Sequence, residues 1–222
     1  MLNHLIDLLF PKTCVCCEEV LNEQEPQICG SCLLDLPVID LNDTLVTSKL
    51  AGRIKPANAY AYLKFNKLGK AQKILHVLKY KDNQELGIFL GKRFFDYLSA
   101  QTIQLEVDFL IPVPLHSKRL KTRGYNQAEA IAKGIADQSG IVLNTNILLK
   151  AKEATSQTNK GRTARLENMQ NCFAIAPNID LQGKKIGIVD DVMTTGATIE
   201  ACCLCLEAAG VNKITILSIA VA

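Results

Sequence analysis

Ile186-Gly187-Ile188-Val189-Asp190-Asp191-Val192-Met193-Thr194-Thr195-Gly196-Ala197-Thr198 is an apolar run that ends in two adjacent carboxylates and passes through a Thr/Gly turn into a helical pattern. As a strand tip it projects Asp190 and Asp191. The turn after it exposes backbone N–H groups, and the following helix adds the positive end of its dipole. Carboxylates beside such a nest repel a bare polyphosphate. The ligand that suits the stretch therefore offers hydroxyls to Asp190 and Asp191 and a phosphate to Thr194, Thr195, Gly196, Ala197 and Thr198. A sugar phosphate has both. The structural alternative is an ordinary Asp-rich turn before a Thr-capped helix; the acid pair, the Gly and three Thr falling in register favour a ligand site.

To either side of this stretch, Lys185–Val189 and Lys213–Val221 read as buried strands flanking a helix from about Thr198 to Ala209. Upstream, Tyr60–Leu63 and Val107–Val113 read as strands separated by a helical pattern from Leu68 to Leu98, and Gly124–Gln138 reads as a helix. Alternation of strands and helices predicts an α/β fold, a mostly parallel sheet flanked by helices, with ligands at the carboxyl ends of its strands. Just past the strand ending in Pro112-Val113-Pro114 lie Lys118, Arg119, Lys121 and Arg123. Cations at a strand tip can face the same crevice as the acid pair, although Lys and Arg runs are usually plain solvated surface.

Near the N-terminus, Cys14-Val15-Cys16-Cys17 is followed across an acidic stretch by Cys29-Gly30-Ser31-Cys32. Two CxxC knuckles can wrap a tetrahedral zinc ion, so Cys14, Cys17, Cys29 and Cys32 are the candidate ligands of a structural, not catalytic, site, with Cys16 as a possible substitute. Disulfides are the alternative, disfavoured in a reducing compartment. Cys202, Cys203 and Cys205 spread around one helix, which fits packing better than metal binding. The domain reading is an N-terminal helix plus a four-cysteine zinc-binding module over residues 1–45, then an α/β domain over 46–222.

The chain has 222 residues, 48% of them apolar, enough for one sizeable core and a small appendage. No apolar run approaches the ~20 residues of a membrane span, and Leu2–Phe10 lacks the basic start and the cleavage site of a signal sequence, so a cytoplasmic location is expected.

The strand, acid pair and Thr/Gly loop closely resemble the signature of the type I phosphoribosyltransferases. The resemblance implies phosphoribosyl pyrophosphate (PRPP) as ligand, with Asp190 and Asp191 as the catalytic pair on the ribose hydroxyls and Thr194–Thr198 around the 5-phosphate. It also implies that Lys118, Arg119 and Arg123 take pyrophosphate, and that Mg2+ accompanies PRPP, held mainly by substrate oxygens and water. The double CxxC, Ile111-Pro112-Val113-Pro114-Leu115, Arg119, Arg123-Gly124-Tyr125-Asn126-Gln127, Gln157, Arg165, Asn168 and the Asp190–Thr198 loop together resemble the ComF/GntX family of bacterial competence proteins. That family is linked to uptake and use of external DNA. The polar segment Thr155–Arg162 suits either a lid over a reactive sugar or a plain mobile loop.

Three functions fit these residues: a PRPP-binding protein that handles incoming single-stranded DNA, alone or with other DNA-uptake proteins; a nucleobase-salvage or amido-type phosphoribosyltransferase; and a non-catalytic adaptor that retains the fold. Charge favours the first. Up to Thr44, Lys12 stands against eight carboxylates, a net charge of −7, so with +3 for the whole chain the remainder carries about +10. Lys64, Lys67, Lys70, Lys73, Lys79 and Lys81 form a basic stretch with no recognisable base pocket, so single-stranded DNA is expected there and near Lys118–Arg123, with Tyr80 or Tyr125 as stacking surfaces. The alternative is that these cations only balance the substrate and keep the domain soluble.

Overall fold

Apolar residues load both faces of two nine-residue strands, Ile186, Ile188, Ile214 and Ile216 on one and Val189, Leu217 and Ile219 on the other, and these strands become the middle of the sheet. The computed structural model describes residues 11–150 and 172–222. The N-terminal helix expected before residue 11 and the segment Thr155–Arg162, with Gln157, Arg165 and Asn168, lie outside the described residues. In chain order the elements are α1 (Gly30–Leu34), α2 (Leu45–Leu50), β1 (Asn58–Lys64), α3 (Lys70–Tyr80), α4 (Gln84–Ala100), β2 (Phe109–Pro112) and α5 (Ser117–Arg123). They continue with α6 (Gln127–Ser139), β3 (Val142–Leu143), β4 (Leu148–Lys150), β5 (Phe173–Ile175), β6 (Lys185–Met193), α7 (Ala197–Ala208) and β7 (Lys213–Val221).

Five strands pair in the order β1-β7-β6-β2-β3, every pair parallel, while β4 and β5 form a separate antiparallel pair. The expected α/β architecture is present. Its important consequence lies between β2 and β6, which are neighbours although the chain leaves β2 for β3 on one side and β6 for β7 on the other. Such a reversal opens a crevice at the carboxyl ends of the two strands, where open α/β sheets bind ligands. Pro112 pairs with Val189, and the N–H of Val113 donates to the Val189 carbonyl at 2.9 Å. Asp190 and the Pro-rich strand end therefore emerge at the same crevice.

Two cores sandwich the sheet. On one face α3, α4 and α6 bury Ile74, Leu78, Leu90, Phe94 and Ile131 against Leu110, Val189 and Leu217. On the other, α2 and α7 bury Leu50, Ile199, Cys202, Cys203 and Leu206 against Ile186, Ile188 and Ile216. Cys202 and Cys203 are packing residues, as their spacing predicts. The α4–α6 crossing brings backbones into contact: a Cβ on Gly91 would collide with the Ile131 carbonyl, and one on Gly134 with that of Ile88. No described helix is long and apolar enough to cross a membrane.

The knuckle region joins this core. Cys14, Cys16, Ile28, Cys32 and Leu36 share one hydrophobic cluster with α3 and α4. The chain leaving α1 runs alongside β1, with Val38 bridging Leu63 and the N–H of Lys64 donating to the Pro37 carbonyl at 2.8 Å. Described residues up to 45 thus pack continuously with the sheet and its helices.

Several boundaries differ from the sequence reading. The strand expected over Lys185–Val189 runs to Met193, so Asp190 and Asp191 lie in the part of β6 that extends beyond its pairing with β2 and still pairs with β7. The helix expected over Leu68–Leu98 is two, broken at residues 81–83, where Asp82 takes φ +48° and the Asn83 side chain caps α4 by accepting from the Leu86 N–H. The helix expected from Gly124 begins at Gln127, because Gly124 ends the separate short helix α5 and the Asn126 side chain caps α6 through the Ala128 N–H. The sequence reading places no element between residue 45 and Tyr60, where α2 forms and buries Val46 and Leu50.

Candidate functional site at the β2–β6 strand tips

The Thr/Gly turn leaves β6 at Met193, and Gly196 starts α7 from the left-handed region at φ +77°. A side chain there would be strained by that φ, and its Cβ would stand 2.9 Å from the Lys49 carbonyl at the end of α2. Gly196 therefore seats the loop on α2. Thr194, Thr195 and Thr198 are exposed, and the Thr195 hydroxyl accepts from the Ala197 N–H at 3.4 Å. Asp190 and residues 192–199 line a niche of about 30 Å3. A second tie holds the helix from below: Glu200, in its first turn, pairs with Arg53 at 2.7 Å. Without Arg53, that carboxylate would weaken the positive end of the helix.

The two acids take different partners. Asp191 pairs with Lys79 of α3 at 3.1 Å, with both side chains largely buried. The Asp190 carboxylate accepts from the Asp191 N–H at 2.9 Å. Burial first, and then the neighbouring Asp191 charge, push the Asp190 carboxyl up to about 8. One paired carboxylate and one that holds its proton near neutrality can both donate and accept hydrogen bonds, which is what sugar hydroxyls require. Lys79 carries no sequence signal for this role. Spacing places it among six lysines of a basic stretch, and only the packing of α3 against the strand tip brings it to Asp191.

Of the three cations assigned to pyrophosphate, Arg123 contacts the α3 side of the crevice. Its guanidinium lies 5.9 Å from the Tyr80 ring centroid and donates to Gln127 Oε1 at 2.8 Å. Arg119 precedes it by four residues in α5 and so lies on the same helix face. Lys118 is in the first turn, where its N–H donates to His116 Nδ1 at 3.2 Å. Tyr125 does not offer a stacking surface: it is 8% exposed and its hydroxyl donates to the Leu78 carbonyl at 2.6 Å. Tyr80 is 65% exposed and packs against His76 with centroids 5.0 Å apart.

Much of the basic stretch is engaged by the protein's own acceptors, although most of its lysines remain exposed. Lys64 pairs with Asp43 at 3.4 Å and Lys70 with Asp35 at 2.7 Å, while Lys73 donates to the Cys16 carbonyl at 2.6 Å. Together with Lys79, four of the six lysines expected to meet DNA are thus engaged by the protein itself. The acidic N-terminal region is their complement.

At that region, one sulfur each from Cys14, Cys17, Cys29 and Cys32 lie within 4.8 Å of one another. Cys17 and Cys29 sulfurs are 3.7 Å apart, close to the roughly 3.8 Å edge of a tetrahedron with Zn–S bonds of about 2.3 Å. Backbone N–H groups of Cys16 and Cys29 point at Cys14 Sγ at 3.4 and 3.3 Å. Burial opposes ionisation of Cys14, but these donors outweigh it and lower the thiol to about 6. Cys16 stands outside the cluster with its side chain in the core, where burial raises it to about 11. The donor set and its N–H···S contacts fit a closed zinc site of four thiolates.

A parallel sheet flanked by helices, an acid pair with a Thr/Gly loop at its switch point and an N-terminal cluster of four cysteines define a phosphoribosyltransferase-like α/β protein with an added knuckle. Among named proteins, the chain is homologous to Competence protein F of Haemophilus influenzae, 32% identical over 124 residues, covering 55% of this chain and 54% of that protein. It is also homologous to the DNA utilization protein YhgH of Salmonella typhimurium, 26% identical over 129 residues, or 57% and 56% of the two chains. The match thus spans about half the length of these relatives. A solved purine phosphoribosyltransferase from Pyrococcus horikoshii Ot3 aligns with a TM-score of 0.39 at 20% identity, over 60% of this chain and 74% of that one. No protein-family model matches the chain.

Proposed function

We propose that the chain binds PRPP with Mg2+ at the β2–β6 crevice and acts, in the cytoplasm, in the use of DNA taken up from outside the cell. The observation that carries the PRPP reading is the placement of Asp190, Asp191 and the Gly196 turn together at the switch point of a parallel sheet. Asp190 and Asp191 orient the ribose through its hydroxyls, and the N–H groups and hydroxyls of Thr194–Thr198 hold the 5-phosphate. Arg123, with Arg119 and Lys118 on the same helix, offsets the negative charge that gathers on departing pyrophosphate. Mg2+ bound with PRPP supplies further neutralisation of that charge. Zinc, held by Cys14, Cys17, Cys29 and Cys32, is structural. The DNA part of the reading is supported by the names of the relatives, Competence protein F and DNA utilization protein YhgH.

Calorimetric titration of the whole chain with Mg-PRPP tests the proposal. Saturable binding that is lost in Asp190→Asn/Asp191→Asn, with the fold retained by circular dichroism, supports it. A folded double variant with unchanged affinity overturns the ribose assignment. Pyrophosphate release with pooled bases, amines and single-stranded DNA then separates a transferase from a PRPP-binding adaptor.

A further inference from the structure

Successive residues of β6 face opposite sides of the sheet. Ile186 and Ile188 lie in the core under α2 and α7, and Asp190 continues their row; Val189 lies in the core under α3, α4 and α6, and Asp191 continues that one. The two acids are adjacent in the chain and yet meet different neighbours. On the α3 side Lys79 stands 3.1 Å from Asp191, their side chains 21% and 14% exposed. Tyr125 also feels the Asp191 charge from that side. On the α7 side Asp190 meets the charge of Lys150 in β4 and the thiol of Cys202, which burial keeps protonated. One Asp190 oxygen accepts from the Asp191 N–H at 2.9 Å, which leaves the other to carry a proton.

Lys79 is held where it stands by its helix. The Tyr125 hydroxyl donates to the carbonyl of Leu78, the preceding residue, at 2.6 Å, and Leu75 and Leu78 anchor α3 in the core. A largely buried cation at a fixed place biases the acid pair. Carboxyl groups on neighbouring residues repel, and they coexist more easily when one keeps its proton. Lys79 settles the negative charge on Asp191, and the proton falls to Asp190, whose carboxyl is raised to about 8 by burial and then by the Asp191 charge. Lys79 and Lys150 oppose that rise without cancelling it. The outcome is an acceptor on one side of the strand tip and a donor on the other, matched to sugar hydroxyls, each of which can donate and accept.

We infer that Lys79 is a positioning residue for the acid pair: it fixes Asp191 as the acceptor for one ribose hydroxyl and so leaves Asp190 as the donor to the other, without touching the sugar itself. The inference rests on the PRPP reading above and deepens it by dividing a role that the two acids share there. Without Lys79, Asp191 would keep a largely buried charge with no partner on the α3 side. Neither the orientation of its carboxylate nor the place of the proton would then be set.

The test uses the full chain and measures Mg-PRPP affinity by calorimetry from about pH 6 to about pH 9.5, across the Asp190 value of about 8. Carboxyl-carbon NMR of the chain labelled at aspartate, with Asp190→Asn to identify the resonance, follows the same proton without ligand. The unaltered chain should lose affinity as pH rises through the Asp190 titration. Lys79→Met should weaken Mg-PRPP about tenfold near neutral pH, as expected for one misplaced hydrogen bond to a charged group. It should also move the Asp190 titration, and the fall in affinity with it, to higher pH, because a cation that opposed the rise is gone. Lys79→Arg keeps the charge and should return the titration to its parent position. Circular dichroism checks folding. If Lys79→Met alone unfolds, Lys79→Met/Asp191→Asn removes both charges; there Asp190 should titrate below the parent, since the Asp191 charge acts on it more strongly than Lys79 does. PRPP and Mg2+ are common to all variants, so differences between the profiles belong to the protein. Uniform weakening at every pH with an unmoved Asp190 titration, or unchanged affinity in folded Lys79→Met, overturns the inference and leaves the PRPP reading standing. Absence of Mg-PRPP binding to the unaltered chain overturns both.

Discussion

The cysteine knuckle at residues 14–32 and the strand tip at residues 190–198 both gather polar groups at the edge of a hydrophobic core, and they use them in opposite ways. In the knuckle, backbone N–H groups point inward at cysteine sulfur, the thiols converge within 4.8 Å, and Lys70 and Lys73 tie the surrounding chain to α3. At the strand tip the hydroxyls of Thr194, Thr195 and Thr198 are exposed, Asp190 accepts from a neighbouring N–H, and the sheet topology opens a crevice in front. The first arrangement closes a gap in the core that the apolar residues of a short segment could not fill. The second leaves its hydrogen bonds for a ligand. Motif recognition finds both, but only the direction in which the donors point separates structure from function.

The sharpest way to break this contrast is at the metal. Cys14→Ser or Cys32→Ser should release zinc and cost several kcal/mol, out of the about 10 to 16 kcal/mol that structural zinc contributes to isolated fingers. Because Cys14, Cys16 and Cys32 share a cluster with α3 and α4, the whole chain should melt earlier in one transition. Elemental analysis and calorimetry check it; a knuckle that melts separately while the remainder keeps its stability would show that the two regions are independent. At the strand tip, Asp190→Asn/Asp191→Asn should act chiefly on the ligand, weakening Mg-PRPP binding by about 1.5 to 3 kcal/mol for each hydrogen bond lost from the ionised Asp191, with a stability cost confined to the broken Lys79–Asp191 pair and the fold retained. Isothermal titration measures this.

Gly196→Ala joins the two kinds of effect. The left-handed φ costs about 1 to 2 kcal/mol, and the 2.9 Å approach to the Lys49 carbonyl adds to it, so both melting temperature and ligand affinity should fall. A variant that keeps both would show that α2 does not seat the loop. A smaller effect concerns pH. The folded carboxyl of Asp190 is raised from 3.8 to about 8, so between about pH 4 and pH 8 the native state holds a proton that the unfolded chain has lost. Stability from this group is therefore lost as pH rises across that window and levels off above it. The melting temperature of Asp190→Asn relative to the parent should climb from pH 5 to 8 and then flatten. Smallest of all, Lys70→Ala should cost about 0 to 1 kcal/mol, since its partner Asp35 is 82% exposed and water screens the pair. Urea melts resolve it from zero or place an upper limit on it.

Much of this contrast is legible in the sequence. The apolar runs of β6 and β7, the Thr/Gly loop and the four cysteines each announce themselves over a few residues, because local spacing fixes both strand period and knuckle geometry. The break at Asp82 and Asn83 escapes such reading: the apolar period runs through it from α3 into α4, and only the cap on Leu86 and the positive φ of Asp82 end the first helix. The lysines from 64 to 81 suggest a face for nucleic acid because charge along a sequence carries no direction. Their partners Asp35, Asp43, Cys16 and Asp191 lie between 21 and more than a hundred residues away, so packing alone reveals them. The Arg53–Glu200 pair is invisible for the same reason.

Helix α3 holds the Cys16 carbonyl through Lys73 and the Asp191 carboxylate through Lys79, six residues and about 9 Å further along a rigid rod. A chimera cut between residues 45 and 46 would join a foreign knuckle to lysines and an apolar helix face shaped for the native one. The inheritable unit runs at least from the first knuckle cysteine to the end of α3. Recombination or grafting that respects it can move the knuckle between scaffolds, whereas a shorter graft would disturb the wall against which Asp191 rests.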